Sequence, residues 1–146
     1  MPLTIVDFNN FWSPSGGGVR RYHLEKMSFY RYELDAISVF VMPDSRTYTE
    51  KLTDSLIIEH VKAFKFPGKW EYRMLWKKSQ IAPILKKYSP DVIEVGSPYL
   101  LPSLVRKVAK QIVPKAKLLG FWHADFPITY VKRPITEKFG KTLGNL

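Results

Sequence analysis

The pattern that most constrains the fold of this chain is a regular alternation of short apolar runs with longer segments of helical periodicity. The runs have the length of buried strands, and the segments between them repeat apolar residues every three or four positions. We predict strands near residues 3–7, 36–42, 56–61, 92–95 and 117–122. We predict helices at about 18–31, 70–88 and 101–112, and a last one from near Pro134. This order predicts an α/β, Rossmann-like fold with a mostly parallel sheet and helices on both faces.

Three consecutive glycines, Gly16, Gly17 and Gly18, lie between the first predicted strand and the helix after it. Glycine has no Cβ, so its backbone N–H groups can approach a ligand closely. A helix start adds unpaired donors and a partial positive charge, which favour a phosphate or a sugar hydroxyl. Arg20 is a candidate phosphate-binding cation, and the alternative is a solvated helix face. The spacing matches neither the dinucleotide fingerprint nor a Walker A loop, so a flexible connection is the alternative for the loop.

The net charge of +10 over 146 residues indicates an anionic partner, against the alternative of a solvated basic surface. The length suits one domain with its own core. The absence of cysteine excludes disulfides and thiolate metal sites and suits the cytoplasm. No apolar run approaches the roughly 20 residues of a membrane-spanning helix, and the N-terminus lacks the signal-peptide pattern. We therefore expect a cytoplasmic protein, with peripheral attachment to the inner face of the membrane as a further expectation.

Ligands of parallel α/β sheets bind beyond the carboxyl ends of the strands. Besides the glycine loop, two segments directly follow predicted strands: Gly96-Ser97-Pro98-Tyr99 and His123-Ala124-Asp125-Phe126-Pro127. We expect the three segments to gather at one edge of the sheet. Ser97 and Tyr99 are candidate acceptor contacts, although ordinary loop residues are an equal interpretation.

The three segments, in this order, resemble the N-terminal domain of the family-four retaining glycosyltransferases, which have the GT-B fold. That pattern is a Gly-Gly-Gly-Val loop, then Pro-Asp followed by an apolar strand, then a strand that ends in His-x-Asp-aromatic-Pro. Its counterparts here are Gly16 to Val19, Pro90 to Val95 and His123 to Pro127. The resemblance covers nearly the whole chain, and the last segment is similar to members that act on lipid or related acceptors.

The resemblance implies transfer of a sugar, such as mannose or a related hexose, from a nucleotide sugar to a lipid or saccharide acceptor with retention. A second domain, of which residues 1–146 show no segment, would hold the donor. We therefore expect an incomplete N-terminal domain that is inactive alone. In the family the departing phosphate takes the acceptor proton, so this domain needs no general base. By resemblance His123 contacts the transferred sugar, and Asp125 is a candidate contact for which a structural role in the loop is the alternative.

The stretch 62–78 interleaves aromatic residues with cations, which suits an anionic lipid surface. The alternative is a helix whose lysines simply face water. We expect no nucleic-acid binding, because no RNA-binding motif accompanies this stretch. We also predict no metal and no cofactor, and we interpret Glu94 and His60 as non-catalytic. A non-catalytic Rossmann-like module that binds an anionic ligand or a membrane surface stays open as the second function class.

Overall fold

The computed structural model describes residues 2–12, 18–65, 72–97 and 100–120, and their main feature is a six-stranded sheet. In chain order the elements are β1 (Thr4–Phe8), α1 (Gly18–Glu33), β2 (Ile37–Asp44), β3 (Tyr48–Lys51), β4 (Leu56–Lys62), β5 (Phe64–Lys65), β6 (Arg73–Met74), α2 (Lys78–Tyr88), β7 (Val92–Val95), α3 (Leu100–Ile112) and β8 (Lys117–Gly120). The strand order is β3-β4-β2-β1-β7-β8, and every pair except β3 with β4 is parallel. β5 and β6 form a separate antiparallel pair.

Helices cover both faces of this sheet, because the inner strands bury side chains on both sides. Val39 and Val41 of β2 belong to the larger apolar cluster, which includes residues of α2 and α3. Phe40 and Met42 point to the opposite face and pack with Met27 of α1. The predicted α/β, Rossmann-like architecture is therefore confirmed.

The crossovers change direction between β1 and β7. From β1 the chain builds outward through β2 to β4, and then returns to place β7 on the other side of β1 and β8 beyond it. In such sheets the connections leaving two neighbouring central strands diverge, which opens a crevice at their carboxyl ends. We call the segments that follow β1 and β7 the switch-point loops: residues 9–12 and 96–97 within the described part of the chain.

The helix predicted for 70–88 begins later than expected, at Lys78. Arg73 and Met74 pair as a strand with β5, and Lys77 has extended backbone angles. The side chain of Gln80 fixes this start: its Oε1 accepts hydrogen bonds from the backbone N–H groups of Trp76 and Lys77, both at 2.9 Å. The prediction that the helix includes residues 72–77 is therefore wrong.

Two further differences concern strands. β2 continues past residue 42 to Asp44, alongside β4. β3 was missed because its four residues are all exposed and polar or aromatic, which leaves no apolar periodicity. Residues 121–122 of the last predicted strand and the helix predicted from Pro134 lie outside the described residues.

Candidate functional site

The switch-point loops are joined by buried hydrogen bonds. The Ser97 hydroxyl accepts from the backbone N–H of Asn10 at 2.6 Å and donates to Asn9 Oδ1 at 3.0 Å. Asn9 Oδ1 also accepts from the backbone N–H of Phe11 at 2.7 Å, which closes an Asx-turn. Asn10 Oδ1 accepts from the backbone N–H of Leu75 at 2.8 Å. Because these side chains are buried, the bonds fix the backbone of both loops at the carboxyl end of the sheet.

A cluster of buried charges lies beneath these loops, on the face covered by α1. Asp7 of β1 and Glu94 of β7 are register partners on adjacent strands. The ammonium of Lys26 donates to Asp7 Oδ2 and, at 2.8 Å, to Glu94 Oε2. Tyr30, one turn further along α1, donates its hydroxyl to Glu94 Oε1 at 2.7 Å. The ammonium of Lys26 therefore lies between two carboxylates that would repel each other without a cation.

The protonation of this cluster follows from its burial and its charges. Burial alone would lower the pKa of Lys26, but the carboxylates of Asp7 and Glu94 outweigh it and raise that pKa. Burial, together with the hydrogen bond to Glu94, strongly raises the pKa of the Tyr30 phenol. At neutral pH Lys26 is therefore charged and Tyr30 keeps its proton.

His23 connects the charge cluster with the switch-point loops. Its side chain is fully buried, and its Nδ1 is 3.0 Å from Asp7 Oδ2. Its Nε2 is hydrogen-bonded to Asn9 Nδ2. The imidazole stacks on Phe40 at 4.5 Å between ring centroids. Asp7, His23, Asn9 and Ser97 therefore form one continuous chain of polar contacts.

The structure describes three of the residues predicted for the site. Gly18 is the first residue of α1, and among the described residues an added Cβ would meet no atom within 4 Å beyond its chain neighbours and its own helix backbone. Arg20 is exposed in the first turn of α1, with its guanidinium 5.6 Å from the ring centroid of Trp12. Ser97 is buried between the two loops rather than open to solvent. The remaining predicted residues lie outside the described residues: Gly16, Gly17, Tyr99, His123 and Asp125.

Asp7, His23 and Lys26 were not singled out from the sequence. The signal that could have found them is the inner face of α1, where His23, Met27 and Tyr30 recur at helical spacing. A histidine and a tyrosine on that face need polar partners, and Asp7 is an acidic residue between the apolar Val6 and Phe8.

His60 belongs to a separate cluster at the β3 edge of the sheet. Its Nδ1 is 2.7 Å from Asp44 Oδ2, its Nε2 is 3.2 Å from Glu50 Oε2, and its ring stacks on Tyr48. These contacts tie β2, β3 and β4 together. Within the described parts of the chain, no group of three or more acidic or histidine side chains is arranged to hold a metal ion.

Within its described residues, 62–65 and 72–78, the predicted basic-aromatic stretch contains the antiparallel pair of β5 with β6, and helix α2 begins only at Lys78. Phe64 and Trp76 are 56% and 53% exposed, with ring centroids 6.2 Å apart. The ammonium of Lys77 lies 5.6 Å from the Trp76 ring centroid. Four exposed lysines accompany them. We call this set the basic-aromatic surface: Phe64, Trp76, Lys62, Lys65, Lys77 and Lys78.

Comparison of the sequence with protein-family models finds no match. A search of curated proteins also finds no match. Among the described residues, no helix is long and apolar enough to span a membrane.

Proposed function

We propose that this chain is the acceptor-side domain of a retaining glycosyltransferase that uses a nucleotide sugar. The observation that carries the proposal is the strand order, which brings the loops after β1 and β7 together at a switch point. The glycine-rich segment precedes α1, and Ser97 follows β7, in the order that the resemblance requires. The proposal extends to a lipid or saccharide acceptor, and to a donor held mainly by a second domain.

The proposed role of this domain is to position the acceptor and to exclude water, because the family's chemistry needs no general base from it. The transition state resembles an oxocarbenium ion with a departing diphosphate, so geometry and charge stabilisation provide the catalysis. Exposed Arg20 and the start of α1 offer positive charge for an acceptor phosphate or the diphosphate. The buried contacts of Asn9, Asn10 and Ser97 support this by keeping the loop backbones fixed.

The test is an assay of a longer protein, in which this chain is joined to whatever domain its gene encodes downstream of Leu146. A second α/β domain, and sugar transfer with retained anomeric configuration, would support the proposal. A downstream frame without such a domain, or a two-domain protein that transfers no sugar from any nucleotide sugar, would overturn it.

The basic-aromatic surface favours a second candidate function, docking on an anionic membrane surface. Each lysine near an anionic bilayer contributes about 1 kcal/mol, so four together can hold a domain reversibly. Phe64 and Trp76, both more than half exposed, can insert at the level of the headgroups. Such docking is compatible with a lipid acceptor, and it also stands alone as the function of a non-catalytic module.

Co-sedimentation with liposomes of varied anionic content tests the docking. We expect binding that grows with anionic lipid, falls with salt, and is lost when Lys62, Lys65, Lys77 and Lys78 become Ser. The matched control has the same net charge: Lys107, Lys110, Lys115 and Lys117, which are also exposed, become Ser instead. Equal binding to neutral liposomes, or an equal loss in the control, would contradict electrostatic docking by this surface.

A further inference from the structure

The carboxamide of Asn9 can have only one orientation in the buried polar chain. One of its two terminal atoms faces the backbone N–H of Phe11 at 2.7 Å and the hydroxyl of Ser97 at 3.0 Å. A backbone N–H can only donate, so the atom that faces it is the oxygen. The amino group of Asn9 must therefore face His23.

The orientation of Asn9 determines which nitrogen of His23 carries the proton. An amino group can only donate, so Nε2 of His23 accepts its hydrogen bond and is unprotonated. The proton of the neutral imidazole is then on Nδ1, which lies 3.0 Å from Asp7 Oδ2. Stacking on Phe40 and complete burial keep the ring in this orientation.

We propose that His23 is a positioning residue. With its proton on Nδ1, beside Asp7, and its Nε2 accepting from Asn9, it fixes the switch-point loops relative to Asp7. Asp7 is itself held by Lys26, which also binds Glu94, and the Tyr22 ring meets the imidazole edge-on. Asn9 then orients the Ser97 hydroxyl, which holds the backbone N–H of Asn10. The inference rests on the proposed function for the identity of the ligand, but its tests use no ligand and no activity.

The first test is the ring-nitrogen NMR signature of His23 in the 146-residue chain at neutral pH. We expect the signals of a neutral imidazole whose Nδ1 is protonated and whose Nε2 is unprotonated. A proton on Nε2, or on both nitrogens, would overturn the assignment, because either would place a donor against the Asn9 amino group. This measurement needs no variant, so it decides even if substitutions prevent folding.

The second test is a pair of variants, each of which keeps the contact of one of the two imidazole nitrogens. The side-chain oxygen of a glutamine can accept a hydrogen bond from Asn9, as Nε2 does. His23→Gln therefore keeps the contact with the switch-point loops. The shorter carboxamide of His23→Asn can place an N–H near Asp7 Oδ2, which lies 3.0 Å from Nδ1 in the wild type, but it does not reach Asn9. A residue that only fills space would not distinguish the two variants in this way.

The readout is hydrogen exchange of the Asn10 and Phe11 amides, which donate to Ser97 and Asn9. We expect His23→Asn to lower their protection at least about tenfold, the scale of one lost buried hydrogen bond, and His23→Gln to preserve most of it. The amide of Ser38, which donates to Ser55 O near the start of β2, is the internal control, because it bonds neither switch-point loop. Equal loss in both variants, or the reverse order, would overturn the proposal.

Discussion

At the scale of single residues, Lys26 is the cation on which the buried charge cluster depends. Its side chain is 9% exposed and contacts two carboxylates whose side chains are 4% and 10% exposed. We predict that Lys26→Met destabilises the protein by about 3–5 kcal/mol, because both carboxylates lose their cation. Chemical denaturation provides the measurement. Arg21→Met is the control, because Arg21 pairs with Glu25 on the solvent side of the same helix. We expect no resolvable change in the free energy of unfolding for this variant.

Tyr30 gives the protein a specific sensitivity to alkaline pH. Its pKa is raised in the folded state, so folding stabilises the protonated phenol. This contribution is complete below the ordinary tyrosine pKa of about 10 and is lost as pH rises above it, by up to about 1.4 kcal/mol per pH unit. We predict that Tyr30→Phe loses stability less steeply than the wild type between about pH 10 and 11.5. Tyr32→Phe, a change at an exposed tyrosine of the same helix, should keep the wild-type slope.

By resemblance, His123 contacts the transferred sugar, and this role leads to a prediction about catalysis. In the two-domain enzyme, we expect His123→Ala to lower kcat far more than it weakens donor binding. The loss should reach about 2–4 kcal/mol of barrier, the scale of one preorganised polar contact in a transition state. Steady-state kinetics together with a donor-binding titration would measure it. Wild-type turnover in the variant would assign the imidazole a structural role.

At the scale of elements, one side chain holds the start of α2 against the end of β4. Gln80 accepts from the N–H groups of Trp76 and Lys77, and its Nε2 donates to the backbone oxygen of Lys62 at 2.7 Å. We predict that Gln80→Ala destabilises the protein by about 1–2 kcal/mol, because these backbone groups lose their partners. The control is Gln111→Ala on α3, where the side chain is exposed and a change within about 0.5 kcal/mol is expected. Equal midpoints of thermal unfolding would contradict this role of Gln80.

At the scale of the whole molecule, the proposed function has the sheet form one side of a binding crevice and, by resemblance, a second domain form the other. Catalysis in two-domain enzymes of this type requires both domains to close on the donor. We therefore predict that the purified chain of 146 residues neither transfers sugar nor hydrolyses nucleotide sugars. Product analysis after prolonged incubation would test this, with the two-domain enzyme as the positive control. Measurable turnover by the chain alone would contradict the proposal that catalysis requires a second domain to hold the donor.

Local periodicity in the sequence is enough to predict the layered α/β architecture, because it shows which segments must bury one face or two. The apolar runs of β2 and β4 have no polar face, which predicts strands covered on both sides by helices. Local periodicity does not predict the exposed strand β3, where this signal is absent. It also misplaces the start of α2, which the side chain of Gln80 fixes.

Which polar groups meet depends instead on the tertiary structure. Lys26 and Glu94 are 68 residues apart and become partners because β7 adds to the sheet directly beside β1. Local periodicity says nothing about the order of strands in a sheet, so Glu94 could be dismissed as a strand residue, and Asp7, His23 and Lys26 could be overlooked. Strand order also brings Ser97 to Asn9 and fixes the tautomer of His23. The chemistry of the switch point is therefore a property of the assembled sheet, and the sequence specifies it only through the fold.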